Sequence, residues 1–323
     1  MKTVVIIGNG FDLDLGLKTS YRDFVTSKEC RELQHGGRNY LLSMIANKFY
    51  LQHWIDLEEE LKQLAIRHSS IALPRHRDFK AEFQDITKCL HKYLTRVQES
   101  VKETGLRKIS CAAQLLKLMC EYPSEFEIYN FNYTDLNVFA EVLGYKRGID
   151  CSNVHGKLEG GSIILGFEDD VHGLQDFHYM IKTFNSNYST SHVRESLSKA
   201  REVIIFGHSL GKTDYPYFSE FFTIKSSGSS KTDVPTKISI VTSNEDSKLS
   251  ILKQLKVMNN DRTNILLDRN DVTFFTTCNW STIPLFHHIL QRLKVEADAK
   301  TLLQKWQNES MRLSFTENSL NLK

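Results

Sequence analysis

A chain of 323 residues can bury a substantial core, as one large domain or two smaller ones, and 41% apolar with 25% charged residues is ordinary for a globular protein. A net charge of +2, with no dense basic run interleaved with aromatics, argues against a dedicated nucleic-acid binder. No stretch approaches a membrane span, and the N-terminus reads as a strand rather than a signal peptide. The cysteines (Cys30, Cys89, Cys111, Cys120, Cys151, Cys278) are scattered without a C-x-x-C pair, which fits a reducing cytoplasm better than a disulfide framework or a zinc ribbon.

Val4-Val5-Ile6-Ile7 opens the chain as an apolar run without polar alternation, as in a strand covered on both faces. It breaks into Gly8-Asn9-Gly10-Phe11-Asp12, where two glycines let the backbone turn tightly and approach a phosphate. The G-x-G-x-x-G fingerprint would need a third glycine where Leu13 stands. Residues 19–122 then read almost wholly helical. One apolar pattern runs from Trp54-Ile55-Asp56-Leu57-Glu58 to Leu64-Ala65, and Pro74 separates it from a long helix whose face is Phe79, Phe83, Ile86, Leu90, Tyr93, Leu94 and Val97. Buried strands return at 127–131, 162–165, 202–206, 237–242 and 272–276, with helical patterns at 249–257 and 283–295. The Ser-rich stretch 225–237 reads as a mobile surface loop.

Strands alternating with helices predict an α/β fold, a mostly parallel sheet flanked by helices, with a helical insertion after the first strand. The expected organisation is an α/β nucleotide-binding domain formed by 1–18 and 123–300, an insertion or cap at 19–122, and a C-terminal helix and tail at 301–323.

Ligands of open α/β sheets bind beyond the carboxyl ends of the strands. Those ends carry Gly8 to Asp12, Asn132-Tyr133-Thr134-Asp135, Gly207-His208-Ser209-Leu210 and Ser243-Asn244-Glu245-Asp246, with a further loop at Asn153-Val154-His155-Gly156. Asn, Ser and Gly also make ordinary turns, so each loop taken alone has a conformational explanation; their recurrence at four strand ends points to a ligand.

The same residues carry a family resemblance. The order glycine turn, F-N-Y-T-D, V-H-G, then F-G-H-S-L-G-x-T-D-x-x-Y-F resembles the AbiH family of bacteriophage abortive-infection proteins over roughly residues 1 to 290. Trp54-Ile55-Asp56-Leu57-Glu58 is similar to a W-x-D-x-E element of that family. AbiH proteins in turn resemble sirtuin-like NAD-binding domains, with their Rossmann-like sheet. The resemblance implies a cytoplasmic phage-defence protein that takes NAD or a related nucleotide as substrate, with no membrane partner. It leaves room for a phage-derived trigger, a partner defence protein or a homo-oligomer.

Cleaving the nicotinamide–ribose bond passes through an oxocarbenium-like species and needs a held pyrophosphate, a positioned ribose, a water and a group that manages a proton. By the resemblance, Asn132 orients the ribose or the water, and His155 acts as general base or holds a ribose hydroxyl. Gly8, Asn9 and Gly10 offer backbone donors to phosphate, with Phe11 in the same turn. Asp12 and Asp135 stabilise the loops or the developing cation. In the loop Gly207-His208-Ser209, Ser209 bonds phosphate and His208 reads as structural; Asn244 bonds the adenosine ribose. Glu58 lies on a helix whose acidic run otherwise reads as a solvated face, and stays a candidate through its W-x-D-x-E context. No metal is expected.

Two other classes remain open. Gly207-His208-Ser209-Leu210-Gly211 matches the G-x-S-x-G nucleophile elbow, with Asp268, His287 and His288 later in the chain. Against it, 212–216 separate the serine from the next helix, and both histidines fall in a helical pattern. The third class is a module that senses a nucleotide without turning it over.

Overall fold

The computed structural model describes residues 2–37, 39–52, 56–69, 77–169, 174–189, 191–227 and 234–320. The first strand, β1 (Thr3–Ile7), runs through the glycine turn into α1 (Asn9–Leu15). Then come α2 (Tyr21–Val25), α3 (Lys28–Gln34), α4 (Tyr40–Gln52), α5 (Leu57–Ser69), α6 (Phe79–Thr104) and α7 (Cys111–Glu121) before the chain returns to the sheet. The rest alternates: β2 (Phe126–Asn130), α8 (Leu136–Val142), β3 (Cys151–Asn153), α9 (Val193–Lys199), β4 (Glu202–Phe206) and α10 (Tyr215–Lys225). It closes with β5 (Lys237–Thr242), α11 (Glu245–Met258), α12 (Thr263–Arg269), β6 (Asp271–Thr276) and α13 (Ile283–Leu320).

All six strands are parallel, in the order β3-β2-β1-β4-β5-β6. This is the doubly wound, Rossmann-like order, and its direction reverses between β1 and β4. Both faces are covered, which is why β1 and β4 read as unbroken apolar runs. Val5, Ile7, Ile204 and Phe206 face a core shared with the helices between β1 and β2, so the insertion has no separate core of its own. Val4, Ile6, Val203, Ile205, Ile238 and Ile240 face the second core, against α9 to α12. Each Val or Ile so buried stabilises the fold by about 1.5–3 kcal/mol.

One expected strand is absent. Ile163, Ile164 and Leu165 are buried, but residues 162–165 pair with no strand. Ile164 N donates to His155 O at 2.8 Å, so this apolar run lies under the His155 loop instead of extending the sheet. Gly156 (φ 78°) and Gly166 (φ 144°) turn the chain on either side of it. The third strand is Cys151–Asn153, which sequence reading takes for loop. Trp54, Ile55, Pro74 and residues 228–233 of the Ser-rich stretch lie outside the described residues. Among the described residues no helix is long and apolar enough to cross a membrane. All the cysteines are free thiols.

Candidate functional site

The ends of β1 and β4 are locked together at the point where strand order reverses. Gly8 N donates to Phe206 O and Gly10 N to Gly207 O, both at 2.9 Å. A methyl group on Gly8 would lie 2.5 Å from His208 Cα, and one on Gly10 would lie 2.6 Å from Gly207 Cα. The two glycines are therefore required by backbone-to-backbone packing. Their N–H groups are taken up, which removes both from a phosphate cradle.

Next to this seam, Asp12 is fully enclosed. Asn132 Nδ2 donates to its Oδ1 at 2.8 Å and also to Gly8 O at 3.1 Å, while Thr134 Oγ1 donates to its Oδ2 at 2.7 Å. Burial lifts the Asp12 carboxyl to about 7, against the smaller opposing effect of the two hydrogen bonds. Asn132 thus braces the β2 end to the β1 turn, and its Oδ1 takes no hydrogen bond among the described residues.

A second group fills the space between the ends of β2, β3 and β4 and the start of α5. At its centre is the Lys182 ammonium, whose side chain is wholly buried, 3.0 Å from Glu58 Oε2, 3.0 Å from His155 Nε2 and 3.3 Å from Asp214 Oδ1. Glu168 approaches Lys182 to 3.9 Å and accepts a hydrogen bond from Tyr217. Asp214 meets His155 Nε2 at 3.2 Å through Oδ1 and His208 Nε2 at 3.2 Å through Oδ2. His208 Nδ1 accepts from Leu210 N, which assigns its proton to Nε2, facing Asp214. Phe131 stands edge-on to both imidazoles.

Local backbone explains how these side chains converge. Lys182 follows a short parallel bridge between Phe167 and Ile181, with Lys182 N bonded to Phe167 O, so Glu168 and Lys182 are set side by side. Asp56 caps α5, its Oδ1 accepting from Glu58 N and Glu59 N, and so aims Glu58 inward. Gly207 (φ 67°) and Leu210 (φ 52°) turn the loop after β4 back toward β1 and bring Asp214 under His208.

The electrostatics divide the group. Burial opposes charge throughout, but in Lys182 the carboxylates of Glu58, Asp214 and Glu168 outweigh it and hold the ammonium charged. In Asp214 burial is overcome by Lys182, His155 and the imidazole hydrogen bonds, so this carboxylate stays ionised. Glu58 goes the other way: burial, helped by Asp214 and Asp56, pushes it up to about 8 despite Lys182. His155 is lowered by burial and then by Lys182. The result is one ionised carboxylate, one carboxyl that holds its proton near neutral pH and one neutral imidazole within hydrogen-bonding distance of a common ammonium. Neighbouring groups driven apart in proton affinity are the signature of acid–base sites.

Glu58, His155 and Asp214 also bring three donor atoms within 4.8 Å of one another, a set suited to a divalent cation. The Lys182 ammonium already stands among them, supplying the positive charge.

Residues 4–232 match the family model for Bacteriophage abortive infection AbiH. The chain belongs to the AbiH family. No curated protein and no solved structure matches it. The matched segment of this AbiH chain begins at the second residue of β1, runs through β4 with every residue of the cluster, and stops before β5.

The structure brings together His155, His208, Asn132 and Asp12 near the seam, with Gly8, Gly10 and Gly207 forming it. Asn9 Oδ1 accepts a hydrogen bond from Thr19, and Phe11 packs into the core against Phe206, so the Phe11 side chain is not free for a ligand. Asp135 caps α8 and Asn244 caps α11; both have a complete structural explanation, and Asn244 lies outside the matched segment. Ser209 is exposed, and no described hydrogen bond joins it to His287 or His288, which lie on α13, or to Asp268 on α12. Helix α10 starts only at Tyr215, with Pro216 in its first turn, so no elbow feeds directly from Ser209 into a helix.

Sequence reasoning missed Lys182 and Glu168, which sit in segments without strand or helix periodicity, and gave no role to Tyr217, which lies on α10 within the quoted motif. Asp214 stood in the G-H-S-L-G-x-T-D motif itself; its distance from His208, six positions on, hid its role as the acceptor for that imidazole.

Proposed function

We propose that this AbiH protein hydrolyses NAD at the nicotinamide–ribose bond and thereby arrests the phage-infected cell. The observation that carries this reading is the acid–base cluster lying at the carboxyl ends of β2, β3 and β4, beside the reversal point of a 3-2-1-4-5-6 sheet, where dinucleotides bind in other sheets of this order. The sirtuin-like succession of Asn132, His155-Gly156 and Gly207-His208-Ser209 supports it.

The chemistry suits the groups. When the C1′–N bond breaks, its electron pair neutralises the pyridinium nitrogen, so the leaving group needs no proton. Water attacks C1′ and must lose one. In the Nε2–H tautomer, which Asp214 favours and the Lys182 ammonium opposes, Nδ1 of His155 is the base, and Asp214 steadies the imidazolium that forms. Ionised Asp214 and the nearby Asp56 favour the positive charge that develops on the ribose. Asn132 offers its free Oδ1 to a ribose hydroxyl or to the water. Asp56 and Ser209 flank Gly211 at the rim, where a substrate arrives.

The test in cells is the NAD content of bacteria carrying the protein, followed after phage challenge. The reading expects NAD to fall with the wild type and to persist with His155→Ala at equal protein level. Growth arrest with NAD intact in both would support a nucleotide sensor acting through a partner.

A further inference from the structure

At the other end of the sheet, residues just before β2 and just before β3 line a groove of about 590 Å³ with α13. Its volume is in the range of small-molecule sites. Four cations converge there, Lys117 and Lys294 from α7 and α13 and Lys146 and Arg147 from the loop after α8, against the single carboxylate of Glu121. Glu121 is shared at 3.8 Å and 3.9 Å by Lys117 and Lys294, too far to occupy their N–H donors. Lys146 and Arg147 are exposed and pair with no carboxylate among the described residues.

Between these charges stand Tyr122 and Tyr145. The Tyr122 hydroxyl donates to Asp298 Oδ1 and the Tyr145 hydroxyl to Ala113 O, so both rings are pinned at their outer ends and present preformed apolar walls. Gly144 (φ 81°) ends α8 in a left-handed turn, with Tyr145 N bonded back to Ala140 O, which sets Tyr145, Lys146 and Arg147 against α7. Cations around fixed aromatic walls suit an anion that also carries a flat ring.

We propose that this groove is a second ligand site, for a nucleotide bearing two or more phosphates, separate from the strand-end cluster and independent of the NAD reading. Helix α7 ties the groove to the first turn: Ala112 N, at its start, donates to Asp14 of α1 at 2.8 Å.

The test is calorimetric titration of the full chain with ATP, with tripolyphosphate as comparator, in the wild type, Lys146→Glu and Arg147→Glu. Both substituted residues are exposed, so the fold is expected to survive. The expected result is ATP binding that each charge reversal weakens at least about tenfold, and a weaker response to tripolyphosphate. Three results would overturn the proposal: no binding at ~1 mM ATP, equal affinity in both variants, which puts the nucleotide elsewhere, or tripolyphosphate binding as tightly as ATP.

Discussion

Lys182 Nζ lies 3.0 Å from Glu58 Oε2 and joins α5 of the helical insertion to the ligand-facing edge of the sheet. The insertion therefore does more than cover one face; it supplies a carboxyl group to the site. Without the ammonium, Glu58, Glu168 and Asp214 would face one another in a buried space. Lys182→Ala is expected to lose about 3–5 kcal/mol of stability, read from chemical denaturation. Adding Asp214→Asn should recover part of the loss by removing a stranded charge, since Asp214 is the carboxylate held ionised. Wild-type stability in the single variant would mean that these pairs hold nothing together.

Asp12 gives a pH prediction whose sign follows from its enclosure. Its carboxyl is raised from 3.8 to about 7, so between these values the folded chain keeps a proton that the unfolded chain has released. Its contribution is fully present below the lower value and is lost as pH rises through the upper one, by up to about 4 kcal/mol. Asp12→Asn keeps both hydrogen bonds, since its amide oxygen accepts from Asn132 and its NH₂ donates to the Thr134 hydroxyl. Comparing unfolding free energies at about pH 5 and pH 8 should show the variant gaining on the wild type as pH rises. A constant difference would show that Asp12 ionises freely in the folded state.

Much of this architecture is legible in the chain. Five of the six strands announce themselves as apolar-rich runs, β1 and β4 unbroken and β2, β5 and β6 interrupted only by Glu127, Ser239 and Thr273, because both faces of the sheet are covered. The exception, Cys151–Asn153, is an edge strand of three residues that buries little, while the equally apolar 163–165 is buried without pairing. Periodicity reports burial and cannot say which buried segment finds a ladder partner. In the site, Asn132, His155 and His208 were readable because strand ends concentrate polar loops. Lys182 was not: a lone lysine in an irregular segment looks solvated until the three carboxylates from distant segments are seen around it. The glycine turn reads as a tight approach to a phosphate, but what approaches Gly8 and Gly10 is the Gly207-His208 backbone.

That approach can be tested at Gly207. Its left-handed backbone (φ 67°) costs another residue about 1–3 kcal/mol, and an added methyl would also lie 2.4 Å from Phe11 N. Gly160 is left-handed too (φ 70°, ψ 8°) but has nothing within 4 Å of such a methyl. Gly207→Ala should therefore lower the melting temperature well beyond Gly160→Ala. Equal effects would show that the seam between β1 and β4 yields easily.

Ser209 separates the enzymatic alternatives. It is exposed, so Ser209→Ala should leave stability within about 0.5 kcal/mol of the wild type. As a phosphate contact at the rim, it should affect the KM for NAD more than kcat. Complete loss of turnover, with labelling of Ser209 by an organophosphate in the wild type, would instead mark a serine hydrolase.

The most direct measurement is nicotinamide release from NAD by the full chain purified from phage-challenged cells, alongside His155→Ala prepared in the same way. The account predicts release by the wild type and its loss in the variant, with ADP-ribose binding retained by both. A wild-type protein that neither releases nicotinamide nor binds NAD or ADP-ribose would contradict the nucleotide site at the strand ends.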